Sequence, residues 1–560
     1  MKFKTSFSED IFRHKYAQGP YDTWPVLARR LVDDVCGYLQ GETEPLLSKG
    51  DRDQLEQYIT DMKFIPGGRY LYYAGRPFHG WNNCFLLRGE EDTREEWGAL
   101  LQRSSDALMT GGGIGVDYSV FRAKDILLKR TGGVASGPIP LMNSLNEVGR
   151  NVQQGGARRS AIYASLNWQH GDVDTFLKVK NWHEVPVGNL KKPNGESFTL
   201  SDAKREDFNF PAPLDMTNIS VNYDDAFLRA AASGSLPDVF VRNVRQALMT
   251  GDPGFSFNFG AREKETLRNA CTEVTSEDDS DVCNLGSIVL PNITSLQELR
   301  DVIRLAIRFL ICGTLRATLP YQKVDLVRQK NRRLGLGLMG FHEWLLMRKS
   351  RYEVTPELHQ WLAVYKEEST KESDSFADSL SISRPVATRA IAPTGTIGIL
   401  AATTTGIEPL FATAFKRRYI TAGHRWKYQF VVDKTAKYIV ETYGVDPSTL
   451  ESASSLAADP ERRINFQANV QAYVDMAISS TINLPAWGSE LNNEDQVLPF
   501  AELLAAYAPQ LRGFTAYPDG ARGGQPLTPV DYNDALKHEG VVFEEMDICE
   551  ISGKGGPCGL

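Results

Sequence analysis

The sequence of 560 residues lacks any apolar stretch of about 18 residues, the length that a membrane-spanning helix needs. Its longest apolar segment, 305–315, is interrupted by Arg308. The first ten residues are charged and lack the apolar core of a secretory signal peptide. The formal net charge is −8, so the composition favours neither nucleic acid nor an anionic membrane surface as a partner. We therefore expect a cytoplasmic protein that binds neither.

Metal ligands are also scarce. The chain has eight histidines and neither a CxxC pair nor an HExxH motif, so we predict no metal site. An odd number of cysteines, seven, is spread widely along the chain, which argues against a disulfide framework. Any function of these thiols would therefore be redox chemistry. Two of them, Cys36 and Cys312, lie in helical patterns and are expected in the core.

The pattern along the chain indicates an α/β fold. Residues 1–62 have polar, helical patterns. From about residue 64 to 164, glycine clusters and short apolar runs alternate with helix-like stretches, as in folds whose strands alternate with helices. The end, residues 545–560, is polar and rich in glycine and is expected to be a mobile tail.

Residues 269–273 read Asn-Ala-Cys-Thr-Glu and are the strongest candidates for chemistry. In an extended segment the side chains of Asn269, Cys271 and Glu273 point to one side. They would combine a hydrogen-bonding amide, a sulfur able to act as nucleophile or radical carrier, and a general base. Another thiol, Cys283, follows twelve residues after Cys271. On these residues alone, a turn with incidental polar side chains and two unrelated buried cysteines is the favoured alternative.

Three glycine-containing segments have patterns that can occur at ligand sites. Residues 335–340 fit the dinucleotide pattern GxGxxG, but they follow a charged segment rather than a strand, so we attribute these glycines to close helix packing. Residues 393–397, Pro-Thr-Gly-Thr-Ile, form a turn that can bind a phosphate, although the lysine of a Walker A loop is absent. Residues 153–159 contain two arginines in a flexible loop that suits a base or phosphate. The alternatives are a capped strand-to-helix turn for residues 393–397 and a solvated surface loop for residues 153–159.

Taken in order, these motifs resemble the catalytic subunit of ribonucleotide reductases, from about residue 60 to the C-terminus. The resemblance implies that Cys271 is the radical cysteine, that Asn269 and Glu273 hold and deprotonate the ribose, and that Cys84 and Cys283 are the redox pair. It also implies that the substrate is bound by Asn83, Gly113, Pro393, Thr394, Gly395, Thr396 and Ile397. The effector-reading loop would contain Gln154 and Arg158, and the redox cysteines of the tail would be Cys549 and Cys558. The tail cysteines would reduce the active-site disulfide and be reset by thioredoxin or a glutaredoxin-like protein. Their spacing is wider than is usual in the family.

The family fold implied for residues 63–544 is a ten-stranded α/β barrel, made of two antiparallel-packed halves of five parallel strands around a central finger loop. Residues 1–62 would be a small helical region without the family's ATP-binding cone, so we expect no overall activity switch by ATP and dATP. Control of substrate choice by a nucleotide effector, dNTP or ATP, stays open through residues 122–137 and 153–159. A monomer and a homodimer are both open.

The source of the radical is indicated by residues 513–522, Gly-Phe-Thr-Ala-Tyr-Pro-Asp-Gly-Ala-Arg. Oxygen-dependent enzymes have adjacent tyrosines here, whereas this segment resembles the adenosylcobalamin-dependent (class II) enzymes, and the C-terminus lacks a glycyl-radical motif. We therefore expect adenosylcobalamin as cofactor, and residues 67–71 favour nucleoside triphosphates as substrates. The alternatives are a class I-like subunit that reduces diphosphates with a separate metal-containing subunit, and a non-catalytic nucleotide-binding protein. An acyl-transfer enzyme using Cys271 lacks a nearby histidine base.

Overall fold

The computed structural model describes residues 3–38, 44–152, 160–207, 209–420, 426–521 and 527–544. Four predicted site residues lie outside the described residues, namely Gln154, Arg158, Cys549 and Cys558.

The described residues form twenty α-helices, many of which begin at a side-chain cap such as that of Ser295, whose hydroxyl accepts the N–H of Glu298. The helices are α1 (Ser6–Lys15), α2 (Trp24–Cys36), α3 (Lys49–Thr60), α4 (Gly68–Tyr73), α5 (Arg94–Met109), α6 (Ile139–Asn151), α7 (Val173–Lys178), α8 (Leu200–Glu206), α9 (Asp225–Ala232), α10 (Asp238–Thr250), α11 (Leu296–Arg316), α12 (Gln322–Asn331), α13 (Phe341–Met347), α14 (Pro356–Ser379), α15 (Gly395–Ala401), α16 (Lys434–Tyr443), α17 (Ala453–Leu456), α18 (Pro460–Gln471), α19 (Val497–Tyr507) and α20 (Tyr532–Lys537). None of the described helices has the length and apolarity to cross a membrane.

The strands alternate with these helices. They are β1 (Phe64–Pro66), β2 (Cys84–Arg88), β3 (Gly113–Asp117), β4 (Ile162–Asn167), β5 (Pro186–Lys191), β6 (Ser197–Thr199), β7 (Thr217–Tyr223), β8 (Gly254–Phe257), β9 (Leu267–Arg268), β10 (Thr275–Ser276), β11 (Asp281–Val289), β12 (Leu334–Met339), β13 (Ala414–Ile420), β14 (Trp426–Val432), β15 (Ile482–Leu484), β16 (Gly513–Phe514), β17 (Ala516–Pro518), β18 (Leu527–Pro529) and β19 (Val542–Glu544).

The largest sheet has nine strands in the order β1-β11-β2-β3-β4-β7-β8-β16, with β12 paired to β11. Strands β2, β3, β4, β7 and β8 run parallel to one another, and they are mostly buried, as expected for strands covered on both faces. Strand β11 is antiparallel to β1 and β2 but parallel to β12. The α/β class is therefore confirmed, while the closed ten-stranded barrel stays a prediction.

Smaller sheets and single bridges complete the pairing. Strands β9 and β10 form a hairpin, β15 is parallel to β17, and a four-stranded sheet has the order β18-β13-β14-β19. Two parallel bridges, Leu336 to Arg389 and Ile391 to Ile478, link β12 to the segments 387–391 and 476–479.

The N-terminal helices share a core with the rest of the chain. Helices α2 and α3 pack against α11, and their apolar side chains belong to one cluster with those of α11 and β12. Cys36 and Cys312 are both fully buried in this cluster, as expected, and their thiols are hydrogen-bonded to each other.

The glycine pattern at 335–340 lies mainly within strand β12, so helix packing was the wrong explanation for it. A Cβ atom on Gly335 would lie 2.2 Å from the side chain of Leu285, and one on Gly337 would lie 2.7 Å from the carbonyl oxygen of Ala390. These glycines let β12 approach its two neighbouring segments. The element immediately before the pattern is helix α12, whereas a dinucleotide fingerprint directly follows a strand.

Candidate active site

Residues 269–274 form the tip of a hairpin whose two strands are β9 and β10. The N–H of Thr272 donates to the carbonyl of Asn269 at 3.0 Å, and Thr272 has φ of 71°. The extended conformation expected for this segment is therefore wrong, because the chain reverses direction here. The turn buries Asn269 and Glu273, at 2% and 1% exposure, and leaves Cys271 exposed.

A glycine in β3 lets the hairpin lie directly on the sheet. A Cβ atom on Gly115 would lie 1.6 Å from the carbonyl oxygen of Arg268, so no other residue fits at this position. The amide of Asn218 in β7 donates to the carbonyl of Ala270 at 3.0 Å. These contacts fix the tip against β3 and β7.

The stem of the hairpin is held by buried charged groups. The hydroxyl of Ser276 donates to the carboxylate of Asp281 at 2.6 Å, and Nε of Arg333 donates to the same carboxylate at 2.8 Å. On the other strand, the guanidinium of Arg268 donates to Oδ1 of Asn258 at 2.7 Å. Burial, and then the positive charge of Arg512, lowers the pKa of Arg268 to about 9.

The two predicted redox cysteines lie directly opposite each other. Cys84 at the start of β2 is the antiparallel partner of Cys283 in β11. Antiparallel partners have Cα atoms about 4.5–5.5 Å apart, within the range of about 4.4–6.8 Å that a disulfide spans. Both side chains are buried, and burial raises both pKa values well above the usual range. They are therefore thiols, placed to close a disulfide with little movement.

Asn269 connects the redox pair to the hairpin. Its amide nitrogen donates to Sγ of Cys84 at 3.1 Å, while its amide oxygen accepts the N–H of Val274 at 2.9 Å. The same side chain hydrogen-bonds Glu273. One amide therefore contacts both the thiol and the carboxylate.

Glu273 has the properties of a general acid and base. Burial raises its pKa to about 7, although the hydrogen bond from Asn269 acts in the opposite direction. One of its oxygens, Oε2, is buried and has no hydrogen-bond partner among the residues that the structure describes. The carboxyl can therefore accept a proton from, or return it to, a hydroxyl that enters the site.

Two further predicted residues lie beside the tip. Gly113 begins β3, and a Cβ atom there would lie 3.3 Å from Cβ of Ala270. Its N–H donates to the carbonyl of Asn83, whose own N–H donates to the carbonyl of Cys283. Gly113, Asn83 and Cys283 are thus linked through the backbone, and Gly113 lies directly against the hairpin tip at Ala270.

The predicted phosphate loop follows the segment 387–391. Thr394 has a left-handed backbone, its hydroxyl accepts the N–H of Gly406 at 2.8 Å, and α15 begins at Gly395. Gly395 is exposed, with open space where a Cβ would be. The loop connects to the hairpin through backbone pairing, since the N–H of Ile391 donates to the carbonyl of Ala477, whose N–H donates to the carbonyl of Glu273.

Sequence reasoning missed Arg69. This buried guanidinium donates to the carbonyl oxygens of Gly80 and Thr110, each at 2.7 Å, and to that of Gly111. It thereby holds the glycine cluster that leads into Gly113. The cluster itself was the only signal in the sequence, and it did not indicate which side chain would bind its carbonyls.

In the described part of the chain, no three His, Cys, Asp or Glu side chains converge as a metal site would require. Of the expected effector segments, 122–137 is described and contains a bridge between Leu127 and Val134, both exposed. Residues 153–159 lie outside the described residues.

Comparison with known proteins identifies the family. Residues 82–360 and 384–517 match the family described as "Ribonucleotide reductase, barrel domain". The chain is 27% identical to a vitamin B12-dependent ribonucleoside-diphosphate reductase of Mycobacterium tuberculosis strain CDC 1551, over 87% of this chain and 75% of the relative. A relative of the same description from Thermoplasma acidophilum is 25% identical, over 85% of this chain and 66% of its own length. A putative adenosylcobalamin-dependent ribonucleoside-triphosphate reductase of Mycobacterium phage D29 is 27% identical, over 72% of this chain and 66% of its own length. The family match covers more than half of the chain, which therefore belongs to the ribonucleotide reductases.

Proposed function

We propose that this chain is a catalytic subunit that reduces ribonucleotides to 2′-deoxyribonucleotides by radical chemistry. The observation that carries the proposal is the arrangement at the hairpin tip. An exposed thiol, Cys271, is flanked in sequence by a buried amide and a buried carboxyl, and the amide binds one thiol of the cross-strand pair formed by Cys84 and Cys283.

Each group has a separate role in this reaction. Cys271, as a thiyl radical, removes the hydrogen from C3′ of the ribose and returns it at the end. Glu273 takes the proton of the 3′-hydroxyl, a role that suits a carboxyl whose pKa is raised to about 7 by burial. Asn269 holds the ribose and keeps the thiol of Cys84 oriented.

The reducing equivalents come from the cross-strand pair. Cys84 and Cys283 together supply two hydrogen atoms, the 2′-hydroxyl leaves as water, and the two sulfurs finish as a disulfide. The direct pairing of the two residues across β2 and β11 supports this step. Their high pKa values keep both as S–H groups until the substrate binds.

We propose that the strands close into the ten-stranded barrel of the family, within a domain of residues 63–544. Five parallel strands, β2, β3, β4, β7 and β8, would form one half. The other half would comprise β11, β12, the segments 387–391 and 476–484, and the segment 513–518. What supports closure is that β16 pairs with β8, β17 pairs with β15, and the two single bridges connect the remaining neighbours. The hairpin of β9 and β10 would then be the finger loop.

The substrate would bind beside the tip. Gly113 and Asn83 would line the space next to Cys271, and the turn of Pro393, Thr394, Gly395, Thr396 and Ile397 would hold the phosphates with backbone N–H groups. The exposed Gly395 and the backbone pairing from Ile391 to Glu273 support this assignment. Both diphosphates and triphosphates occur in the names of the relatives. We keep the triphosphate as the favoured substrate because residues 67–71 resemble the triphosphate-reducing members.

We propose adenosylcobalamin as the cofactor, in keeping with the names of all three relatives. The residues present fit a group that approaches Cys271 from outside, because this thiol is exposed whereas its neighbours Asn269 and Glu273 are buried. Residues 513–521 contain a single tyrosine, the half-buried Tyr517, and would form one wall of the cofactor site. When bound, the cofactor supplies the organic radical that the reaction requires.

The tail, residues 545–560, would carry reducing equivalents to the buried pair. Cys549 and Cys558 lie outside the described residues, so the sequence alone supports this role. A double variant, Cys549→Ser with Cys558→Ser, should lose activity with thioredoxin as reductant and keep it with a small dithiol that reaches the site directly. Equal activity of this variant with both reductants would refute the role of the tail.

The test of the proposed function is turnover of CTP and of CDP by the purified chain with a small dithiol, with and without adenosylcobalamin. We expect deoxynucleotide only with the cofactor, and none from Cys271→Ser, while Cys36→Ala retains activity as a control for a remote thiol. Activity that requires an added iron- or manganese-containing subunit would support the class I-like alternative. Nucleotide binding without turnover under either condition would support a non-catalytic protein.

A further inference from the structure

A cavity of about 290 Å³ is lined in part by Arg512, whose partner Glu265 hydrogen-bonds Thr275 in the stem of the hairpin. Residues 471–475 form one wall and residues 509–512 form another. The charged side chains that line it are Arg262, Lys366, Asp475 and Arg512. Its size is close to the lower end of ligand-binding pockets, about 300 Å³.

The charges of this cavity are not balanced. Asp475 is paired with Arg389 behind the wall, and Arg512 is paired with Glu265 at 2.8 Å. The ammonium of Lys366 donates to the carbonyl of Ala472 at 3.2 Å, and no carboxylate among the described residues pairs with it.

Arg262 is in none of the ion pairs between described residues, and its positive charge lies near that of Arg512. Two positive charges, those of Arg262 and Lys366, therefore face the cavity uncompensated, in a protein whose net charge is −8.

Arg512 adds a buried donor. The residue is 5% exposed, and its Nε has no hydrogen-bond partner within the described part of the chain. A buried guanidinium N–H without a partner is costly, and a ligand with acceptor oxygens would satisfy it.

We propose that this cavity binds a small anion bearing phosphate groups. Phosphate oxygens suit the planar donors of two arginines and the point charge of a lysine, and more than one phosphate is needed to reach all three. The half-buried Tyr473 on the wall offers a ring against which a nucleotide base can stack.

The cavity is separate from the proposed substrate loop. The segments 387–391 and 476–479 run parallel, bridged at Ile391 and Ile478. The cavity residues 471–475 precede one segment, whereas the loop 393–397 follows the other. The two sites consequently lie at opposite ends of this pair of segments.

The cavity is also connected to the hairpin. Glu265, the partner of Arg512, accepts a hydrogen bond from the hydroxyl of Thr275 in β10 at 2.8 Å. An anion that draws Arg512 away from Glu265 changes the contacts at the base of the hairpin that presents Cys271. Binding in the cavity is thereby able to affect the reactive thiol without contacting it.

The test is calorimetric binding of pyrophosphate and, separately, of ATP to the whole chain at low ionic strength. Arg262→Ala and Lys366→Ala should each weaken pyrophosphate binding about tenfold or more, which corresponds to about 1.4 kcal/mol. Lys371→Ala is the matched control, because Lys371 is exposed on the same helix, α14, but does not line the cavity. Binding that is undiminished in both cavity variants, or weakened equally by the control, would overturn the proposal.

A second measurement uses the unaltered protein. Pyrophosphate should slow acetylation of Lys366 by an amine-reactive reagent, relative to Lys371 in the same sample. Equal rates at a saturating concentration would also overturn the proposal. If ATP binds more tightly than pyrophosphate and loses this advantage in Tyr473→Ala, the ligand is a nucleotide; equal affinities identify the phosphates alone as the recognised group.

Discussion

Glu273 should make the protein less stable as the pH rises, and Glu273→Gln should remove this effect. Burial raises the carboxyl pKa from its usual 4.5 to about 7, so between these values the folded state holds a proton that the unfolded state has released. The free energy of unfolding then falls with increasing pH, by about 1.4 kcal/mol per unit. Over the whole shift the loss is about 3 kcal/mol, and it is complete once the pH exceeds the folded pKa.

The assay compares urea unfolding of the two proteins across this range. Glutamine has nearly the same shape and carries no charge at any pH. The variant should match the parent at about pH 4, below the unfolded pKa, and exceed it by about 3 kcal/mol at about pH 9. Glu490→Gln, at an exposed position, is the control and should follow the parent throughout. If parent and Glu273→Gln lose stability in parallel, the carboxyl does not titrate near 7 and the reasoning fails.

The same titration should appear in the reaction. A general base must be ionised, so turnover should rise with pH and level off above about 7, the folded pKa of Glu273. Glu273→Gln should reduce turnover by about 10²- to 10⁴-fold, the usual contribution of such a group. A variant that is more stable at alkaline pH but nearly inactive would show that the buried carboxyl is kept for chemistry. A fully active variant would contradict the proposed role.

Three further outcomes are expected. Gly115→Ala should abolish turnover, because its Cβ would overlap the carbonyl of Arg268. Gly98→Ala is the control and should retain turnover, because no atom lies within 4 Å of where its Cβ would be. Equal activity of the two variants in the turnover assay would contradict the packing of the hairpin against β3. Mild oxidation with diamide should join Cys84 to Cys283, and peptide mapping that finds a disulfide only between Cys36 and Cys312 would count against the paired redox role. Asp281→Asn should destabilise the fold by about 3–5 kcal/mol in urea unfolding, since it leaves Arg333 buried without its partner, and a change below about 1 kcal/mol would refute this.

The residues of the site could be predicted from the sequence, but the shape of their segment could not. Asn269, Cys271 and Glu273 stand out by chemical type and spacing, which led to the expectation of an extended chain. The turn depends on a left-handed backbone at Thr272, a conformation that β-branched residues rarely adopt. What makes it fit is Gly115, more than 150 residues earlier, and no local pattern reports that contact.

The relation between Cys84 and Cys283 was likewise beyond any local pattern. The two residues are far apart in the sequence, and only the antiparallel register of β2 and β11 brings them together. The glycines of β12 show the opposite case, in which a local pattern was present but led to the wrong interpretation. Their spacing suggested helix packing, yet one of them, Gly335, lies against the cysteine itself, since a Cβ there would be 3.2 Å from Sγ of Cys283.

The turn explains how one short segment could support the three proposed roles of Cys271, Glu273 and Asn269. An extended chain would give Asn269, Cys271 and Glu273 the same exposure, and a buried Cys271 could not meet the large external cofactor that we propose. The reversal at Thr272 instead turns Cys271 outward while both neighbours stay buried. Burial is what raises the pKa of Glu273 to about 7, and the same burial places the amide of Asn269 against Cys84. We therefore expect a substitution that straightened the turn to disrupt the proposed radical, acid–base and redox functions together, even though it altered none of the reacting side chains.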